Sequence, residues 1–387
     1  MAFSAEELNL FITSANTLST MRILQLSTAL PKNKYTTEDL IEAFPCTLPE
    51  GVKQNVLNLG VSKRYLIDRA KAEDLMSEDD LVDLCYEACA KAVEKARLSL
   101  KEVDCLIAAY DVNPFLSPGL SQLLVPALGL DSYTRLVNLQ GIASTAFPKA
   151  LDLAKNHIAV HPDENVLLCI SGVSSYWFQN QVRGLKDVME IGKISSISNK
   201  VKRELELNKW VATMQFFLFG DGVAAAVVNS ESEGLIVGDI VEVTNVGKQD
   251  YLAGCSRLSA LNEPFKFGFH SYLDKEIPSL GVKYTGMALQ RLLGEKAEVI
   301  ANKAKKWAVH TGSEKILKTL AEHHKVQPEK LKESHAVLEE HGNLAGASLP
   351  FILERIVSTS RLSSGDSILM LGYGWGFSAS ASLLEYA

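Results

Sequence analysis

Ser144-Thr-Ala-Phe-Pro-Lys-Ala-Leu-Asp-Leu-Ala154 and Ala347-Ser-Leu-Pro-Phe-Ile-Leu-Glu-Arg-Ile356 are two versions of one phrase. Each opens on small residues, places a proline near the first turn of a helix, and continues as an apolar helix. Proline is suited to that place because the first N–H groups of a helix have no intrahelical partner. A second pair also matches. Phe219-Gly-Asp-Gly-Val-Ala-Ala-Ala-Val-Val228 and Gly374-Trp-Gly-Phe-Ser-Ala-Ser-Ala-Ser-Leu-Leu384 each set a glycine-rich turn before a strand of small residues. The chain therefore reads as a diverged duplication of one α/β unit of roughly 150 residues. The polar break Asn229-Ser-Glu-Ser-Glu-Gly234 divides it into halves 1–230 and 231–387.

Working outward, helical and strand patterns alternate. Leu81, Leu84, Cys85, Ala88, Cys89, Ala92, Val93 and Ala96 recur at helical spacing. Val103 to Tyr110 and Asn165 to Ser171 are short apolar strands, and the second half repeats the scheme with Trp307 to His310 and Ser367 to Leu371. Continuous apolar strands between helices predict a sheet covered on both faces. The charged, helix-prone stretch Gln179 to Trp210 is an excursion from the first half.

Composition narrows the function. The 387 residues are 47% hydrophobic and 22% charged, with net charge −7. That excludes disordered and coiled-coil classes and argues against a broad nucleic-acid surface. No stretch approaches the length of a membrane span, and Glu6 and Glu7 take the place of a basic signal region. The six scattered cysteines fit free thiols in a reducing compartment, so a cytoplasmic protein is expected. Cys85 and Cys89 lack a histidine pair and read as helix core. His323 and His324 read as surface, and no metal site is expected.

The two helix starts would meet at the pseudo-twofold axis of the duplication. A helix N-terminus offers free N–H donors and about half a positive charge. Ser144 stands at one of them, and the second half supplies His310 and Asn343.

With the order of Phe219-Gly-Asp-Gly, His310 and Gly342-Asn343, the sequence resembles the condensing enzymes of the thiolase superfamily, in particular type III polyketide synthases and ketoacyl synthase III. The likeness runs from Gly60-Val-Ser-Lys-Arg-Tyr65 through Phe269-His-Ser-Tyr-Leu273 and Ala336-Val-Leu-Glu-Glu-His-Gly-Asn-Leu-Ala-Gly-Ala-Ser-Leu-Pro-Phe-Ile-Leu353 to Gly372-Tyr-Gly-Trp-Gly-Phe377. The resemblance implies a thiolase fold, five layers αβαβα from two duplicated halves. It implies decarboxylative Claisen condensation of an acyl thioester with a malonyl-type thioester, delivered by CoA or an acyl-carrier protein. It also implies a homodimer and no resident cofactor.

By position, His310 and Asn343 match the family's decarboxylation and oxyanion pair. Phe219 and Phe269 match its aromatic gatekeepers. Gly376 lies in its second oxyanion loop, where Trp375 is unusual. Lys63 and Arg64 are candidates for a CoA phosphate or carrier-protein contact. His341 stands where the family often has an aromatic.

The family's nucleophilic cysteine is replaced by Ser144. A thiol near a helix N-terminus or a histidine ionises readily. A hydroxyl does not, and the about 0.3–2 kcal/mol from a helix terminus cannot make an alkoxide. His310 is the candidate base. Three readings stand at this point: an engineered Cys→Ser form, a natural serine-dependent acyltransferase acting on an alcohol or amine, and a non-catalytic subunit of a hetero-oligomer.

Overall fold

The computed structural model describes residues 20–67, 78–230, 233–245, 247–258 and 269–387. These form thirteen strands: β1 (Arg22–Ala29), β2 (Asn33–Thr36), β3 (Lys63–Leu66), β4 (Cys105–Tyr110), β5 (Arg135–Gln140), β6 (Val166–Ser171), β7 (Val223–Asn229), β8 (Leu235–Thr244), β9 (Gly254–Leu258), β10 (Phe269–Leu273), β11 (Lys306–Val309), β12 (Ser367–Gly374) and β13 (Ser378–Tyr386). Nine make one sheet in the order β11-β12-β13-β8-β1-β7-β6-β4-β5, and β2-β3 and β9-β10 are separate pairs.

The duplication is visible in the pairing. β4-β6 is parallel, and β6-β7 and β7-β1 are antiparallel. β11-β12 is likewise parallel, and β12-β13 and β13-β8 are antiparallel. The halves join where β1 meets β8 at Arg22↔Ile236 and Ile23↔Leu235.

Strand alternation builds the layers. Val166, Leu168 and Ile170 of β6 face the same cluster as Ile368 and Met370 of β12, with the helices Ala146–Val160 and Ser348–Thr359 between them. Leu167 and Cys169 face the opposite way, onto the helix Glu78–Lys95. Leu369 and Leu371 face the helices Ile277–Leu293 and Glu314–His323. The order is helices, sheet half, paired central helices, sheet half, helices: five layers. Each fully buried aliphatic side chain in such a core contributes about 1.5–3 kcal/mol.

The excursion from the first half forms the helices Ser175–Val182, Ile191–Ser195 and Lys200–Leu218. It packs Val182, Met214 and Phe217 against Leu40, Phe44 and Val52. Among the described residues no helix is long and apolar enough to cross a membrane.

Candidate active site

The helix Ala146–Val160 is entered through the 3-10 turn Ala143–Thr145, and Ser348–Thr359 through Ala345–Ala347. Ala143 and Ala345 both have left-handed backbones, φ +50° and +47°. A non-glycine residue in that region costs about 1–2 kcal/mol and needs support. At the first elbow the Ala143 N–H donates to Asp111 Oδ1 at 3.2 Å, and Thr145 Oγ1 donates to the Ile142 carbonyl at 3.0 Å.

The paired alanines and the paired prolines, Pro148 and Pro350, align at one common offset. That makes Gly346 the counterpart of Ser144, which corrects by one residue the alignment drawn from sequence. The glycine has a packing reason. A Cβ there would lie 2.9 Å from Ala146 Cβ and 3.1 Å from the Ala143 carbonyl oxygen. The two helix starts do meet, and only one of them has room for a functional side chain.

Ser144, His310 and Asn343 are 7%, 2% and 5% exposed; Ser144 and His310 lie against the end of β12, and Asn343 pairs its backbone with Phe219. A Cβ on Gly374 would lie 3.0 Å from Ser144 N, and one on Gly372 3.4 Å from Ser144 O. Between these glycines, Tyr373 packs its ring on His310 at 5.2 Å between centroids. The Tyr373 hydroxyl donates to the His310 carbonyl at 3.1 Å and accepts the Gly312 N–H at 3.2 Å. The His310 N–H donates to the Leu371 carbonyl. Ser348, at the second helix start, links the remaining pieces. Its Oγ accepts from Thr311 Oγ1 at 3.0 Å and from the Leu344 N–H at 3.1 Å.

Burial alone pushes the His310 imidazole down to about 3, so the ring is neutral at neutral pH. Asn343 Oδ1 accepts the Ala345 N–H at 2.8 Å, which fixes the amide and leaves Nδ2 as a free donor. Among the described residues, Ser144 Oγ, the His310 ring nitrogens and Asn343 Nδ2 have no intramolecular hydrogen-bond partner. The site therefore presents two neutral donors and one hydroxyl, with no preformed Ser–His bond.

The other candidates divide. Phe219 pairs its backbone with Asn343, and its ring packs on Phe178 at 4.6 Å and on Trp375 at 6.5 Å, so it borders the site. Phe269 opens β10, and its side chain lies outside the described part. Gly376 is exposed in the turn after β12, with its carbonyl held by Asn245 Nδ2. Gly374, not Gly376, is the glycine against Ser144. Lys63 is half-buried on β3.

Arg64 is a correction. It is 0% exposed, donating to the Phe217 carbonyl and to Thr37 Oγ1 at 2.7 Å, so it fastens the excursion to the core and cannot reach a CoA phosphate. Cys85 and Cys89 are buried helix core, as expected. His324 is buried rather than on the surface. His341 lies between Tyr65 and Phe351, with ring centroids 5.8 and 5.7 Å away, and burial lowers it to about 4. An open groove of about 560 Å³ lies between Thr37, Gly60, Glu314 and His335 and is lined by none of these catalytic candidates.

Two residues were not singled out from sequence. Asp111 supports the elbow. Asp221, the aspartate of Phe219-Gly-Asp-Gly222, accepts the N–H groups of Ile67 at 3.0 Å and of Ser174 and Ser175 at 2.9 Å, and also the Ser175 hydroxyl. Its motif neighbour Gly220 sits where a Cβ would lie 2.1 Å from the His341 carbonyl oxygen. The motif is thus a staple that holds the Asn343 loop against the start of β7.

Comparisons with known proteins agree with this geometry. The family model for 3-oxoacyl-[acyl-carrier-protein] synthase III, C terminal, matches residues 295–386. The 1,3,6,8-tetrahydroxynaphthalene synthase of Streptomyces coelicolor is 26% identical over 337 residues, covering 84% of this chain and 80% of the enzyme. The crystal structure of that synthase, a bacterial type III polyketide synthase, superposes with a TM-score of 0.75 at 22% identity, over 94% of this chain and 99% of that one. A Cys→Ser form of Xanthomonas campestris OleA with bound lauric acid and lauroyl-CoA superposes with a TM-score of 0.71 at 16% identity, over 95% of this chain and all of that one. With two duplicated halves meeting at paired helix starts, the chain has the thiolase fold, and along nearly its whole length it is similar to type III polyketide synthases and to ketoacyl synthase III.

Proposed function

We propose that the chain is an acyltransferase that condenses an acyl thioester with a malonyl-type thioester, with Ser144 at the acyl-carrying position. In the first half-reaction the Ser144 oxygen attacks the thioester carbonyl, a thiol leaves, and an oxyester remains. In the second, the malonyl thioester loses CO₂, and the resulting enolate attacks the ester carbonyl and releases the serine oxygen. The substrates, carried by CoA or an acyl-carrier protein, supply all the reacting atoms, so no resident cofactor is required.

The observation that carries this reading is the pair formed by neutral His310 and the free Asn343 amide. Two uncharged donors in a buried site suit a thioester oxygen that becomes an enolate. They are already oriented, and they act where water does not screen them. The N–H of Ser144, at the start of the helix, is the donor proposed for the acyl carbonyl.

The test is intact mass after incubation with acyl-CoA, for the protein and for Ser144→Cys, beside CO₂ release from malonyl-CoA. Decarboxylation by both forms, lost in His310→Ala, supports the reading. Label on the serine form with no decarboxylation favours plain acyl transfer to an alcohol or amine. Neither label nor decarboxylation in either form favours a non-catalytic subunit.

The homodimer belongs to the same proposal. β5 ends the nine-stranded sheet, its residues are exposed or half-buried, and Leu136 within it and Tyr133 just before it are exposed. An unpaired strand edge with apolar neighbours is a template for a second chain.

A further inference from the structure

We propose that Glu298, His323 and His324 form a binding site for a first-row divalent transition cation of the Zn²⁺ type, on the outer helical layer away from the condensation site. One carboxylate oxygen of Glu298 and one ring nitrogen of each histidine lie within 4.8 Å of one another. A tetrahedral site with bonds near 2.0–2.1 Å brings such ligands to about 3.4 Å. Glu298 and His323 are exposed and have the side-chain freedom to close that gap.

His324 is the fixed member. It is 2% exposed, and its Nδ1 is buried with no hydrogen-bond partner. Its Nε2 lies 3.1 Å from Thr285 Oγ1, and the Thr285 hydroxyl donates to the Gly281 carbonyl at 2.7 Å. With that proton committed, the threonine oxygen accepts, so Nε2 carries the imidazole proton and Nδ1 keeps its lone pair. A metal-binding histidine has this arrangement: one nitrogen free, the other held by an outer partner. Without an occupant, the Nδ1 acceptor is a buried polar orphan, which folded proteins avoid.

The surroundings favour a cation. His323 closes the helix Glu314–His323 and His324 caps it, so the site lies at the negative end of that helix dipole. Asn302 Nδ2 donates to the Glu298 carbonyl at 3.0 Å and the His324 carbonyl at 2.9 Å, tying the two ligand segments together. Among the described residues, the Glu298 carboxylate has one weak ion-pair partner, exposed Lys325 at 3.9 Å.

The experiment titrates the metal-stripped full chain with Zn²⁺ by calorimetry and with Co²⁺ by visible absorption. One site per chain is expected, with a tetrahedral Co²⁺ spectrum. His323→Ala and Glu298→Gln, both at exposed positions, each weaken binding at least tenfold. Thr285→Val, which leaves all three ligands, weakens it about 10–100-fold, as loss of an outer-shell partner does. His161→Ala, at the separate His157–His161–Glu164 cluster, leaves the affinity unchanged. No stoichiometric binding, unchanged affinity in both ligand variants, or loss only in His161→Ala would each overturn the proposal.

Discussion

The proposed reaction rests on His310 as a neutral donor, and its protonation can be measured through stability. Burial lowers its pKa from 6.5 to about 3. Between these values the unfolded chain holds a proton on this ring and the folded chain does not. Stability therefore falls as pH drops from 6.5 toward 3 and is fully retained above 6.5. At pH 5 the lag is 1.5 units, and at 1.36 kcal/mol per unit this one ring costs about 2 kcal/mol. His324 and His341, each lowered to about 4, act with the same sign over much of the same window. The clean quantity is therefore a difference. Urea unfolding followed by tryptophan fluorescence at pH 7 and pH 5 gives the acid-induced loss for the protein and for His310→Gln. The glutamine form should lose about 2 kcal/mol less. Equal losses would mean that His310 titrates normally in the folded state. The imidazole would then be basic enough to deprotonate Ser144, and its assignment as a neutral donor would fail.

Gly374→Ala places a methyl 3.0 Å from Ser144 N, which shifts the elbow while sparing His310 and Asn343. Misplacement by about 1 Å costs about 100-fold in rate, so acyl loading should fall tenfold or more while malonyl-CoA decarboxylation persists; equal loss of both would refute this division. Asp221→Ala orphans three N–H groups and a hydroxyl at about 1–3 kcal/mol each. The thermal midpoint should drop by about 10 °C or more, and a smaller shift in a thermal melt would show that the staple is not structural. Leu136→Asp puts a charge on the β5 edge and should shift sedimentation from dimer to monomer; an unchanged dimer would exclude that edge as the interface.

Much of this was legible because the determinants are local. The apolar runs of β4, β6 and β12 announced buried strands, and glycine turns marked the entries to β7 and β13. Arg64 misled because it follows Lys63 and looks like half of a surface pair. β3 alternates, with Lys63 and Tyr65 partly outward and Arg64 and Leu66 inward, and that period was the available signal. His324 had one too: it continues the Leu317, Leu320 stripe at helical spacing. Asp111 offered none, since its contact with Ala143 crosses 32 residues. The one-residue misalignment of the two elbows had a similar origin. Both left-handed residues are alanines, which carry no sequence mark of positive φ, whereas a glycine would have flagged the turn.

The arrangement separates two demands that one side chain is often asked to meet. Burial makes His310 a neutral donor, suited to an enolate oxygen, and by the same burial makes it a poor base for a hydroxyl. The other titratable group at the elbow, Asp111, is raised by burial, but its carboxylate is engaged by the Ala143 N–H rather than by the Ser144 hydroxyl. A thiol at position 144 would need little help to ionise, and a hydroxyl needs help this site does not hold in its resting state. In the proposed reaction, a serine rather than a thiol at position 144 therefore acts on acyl loading and leaves decarboxylation to His310 and Asn343. Serine and cysteine forms should share one decarboxylation rate while differing in the rate at which mass is gained.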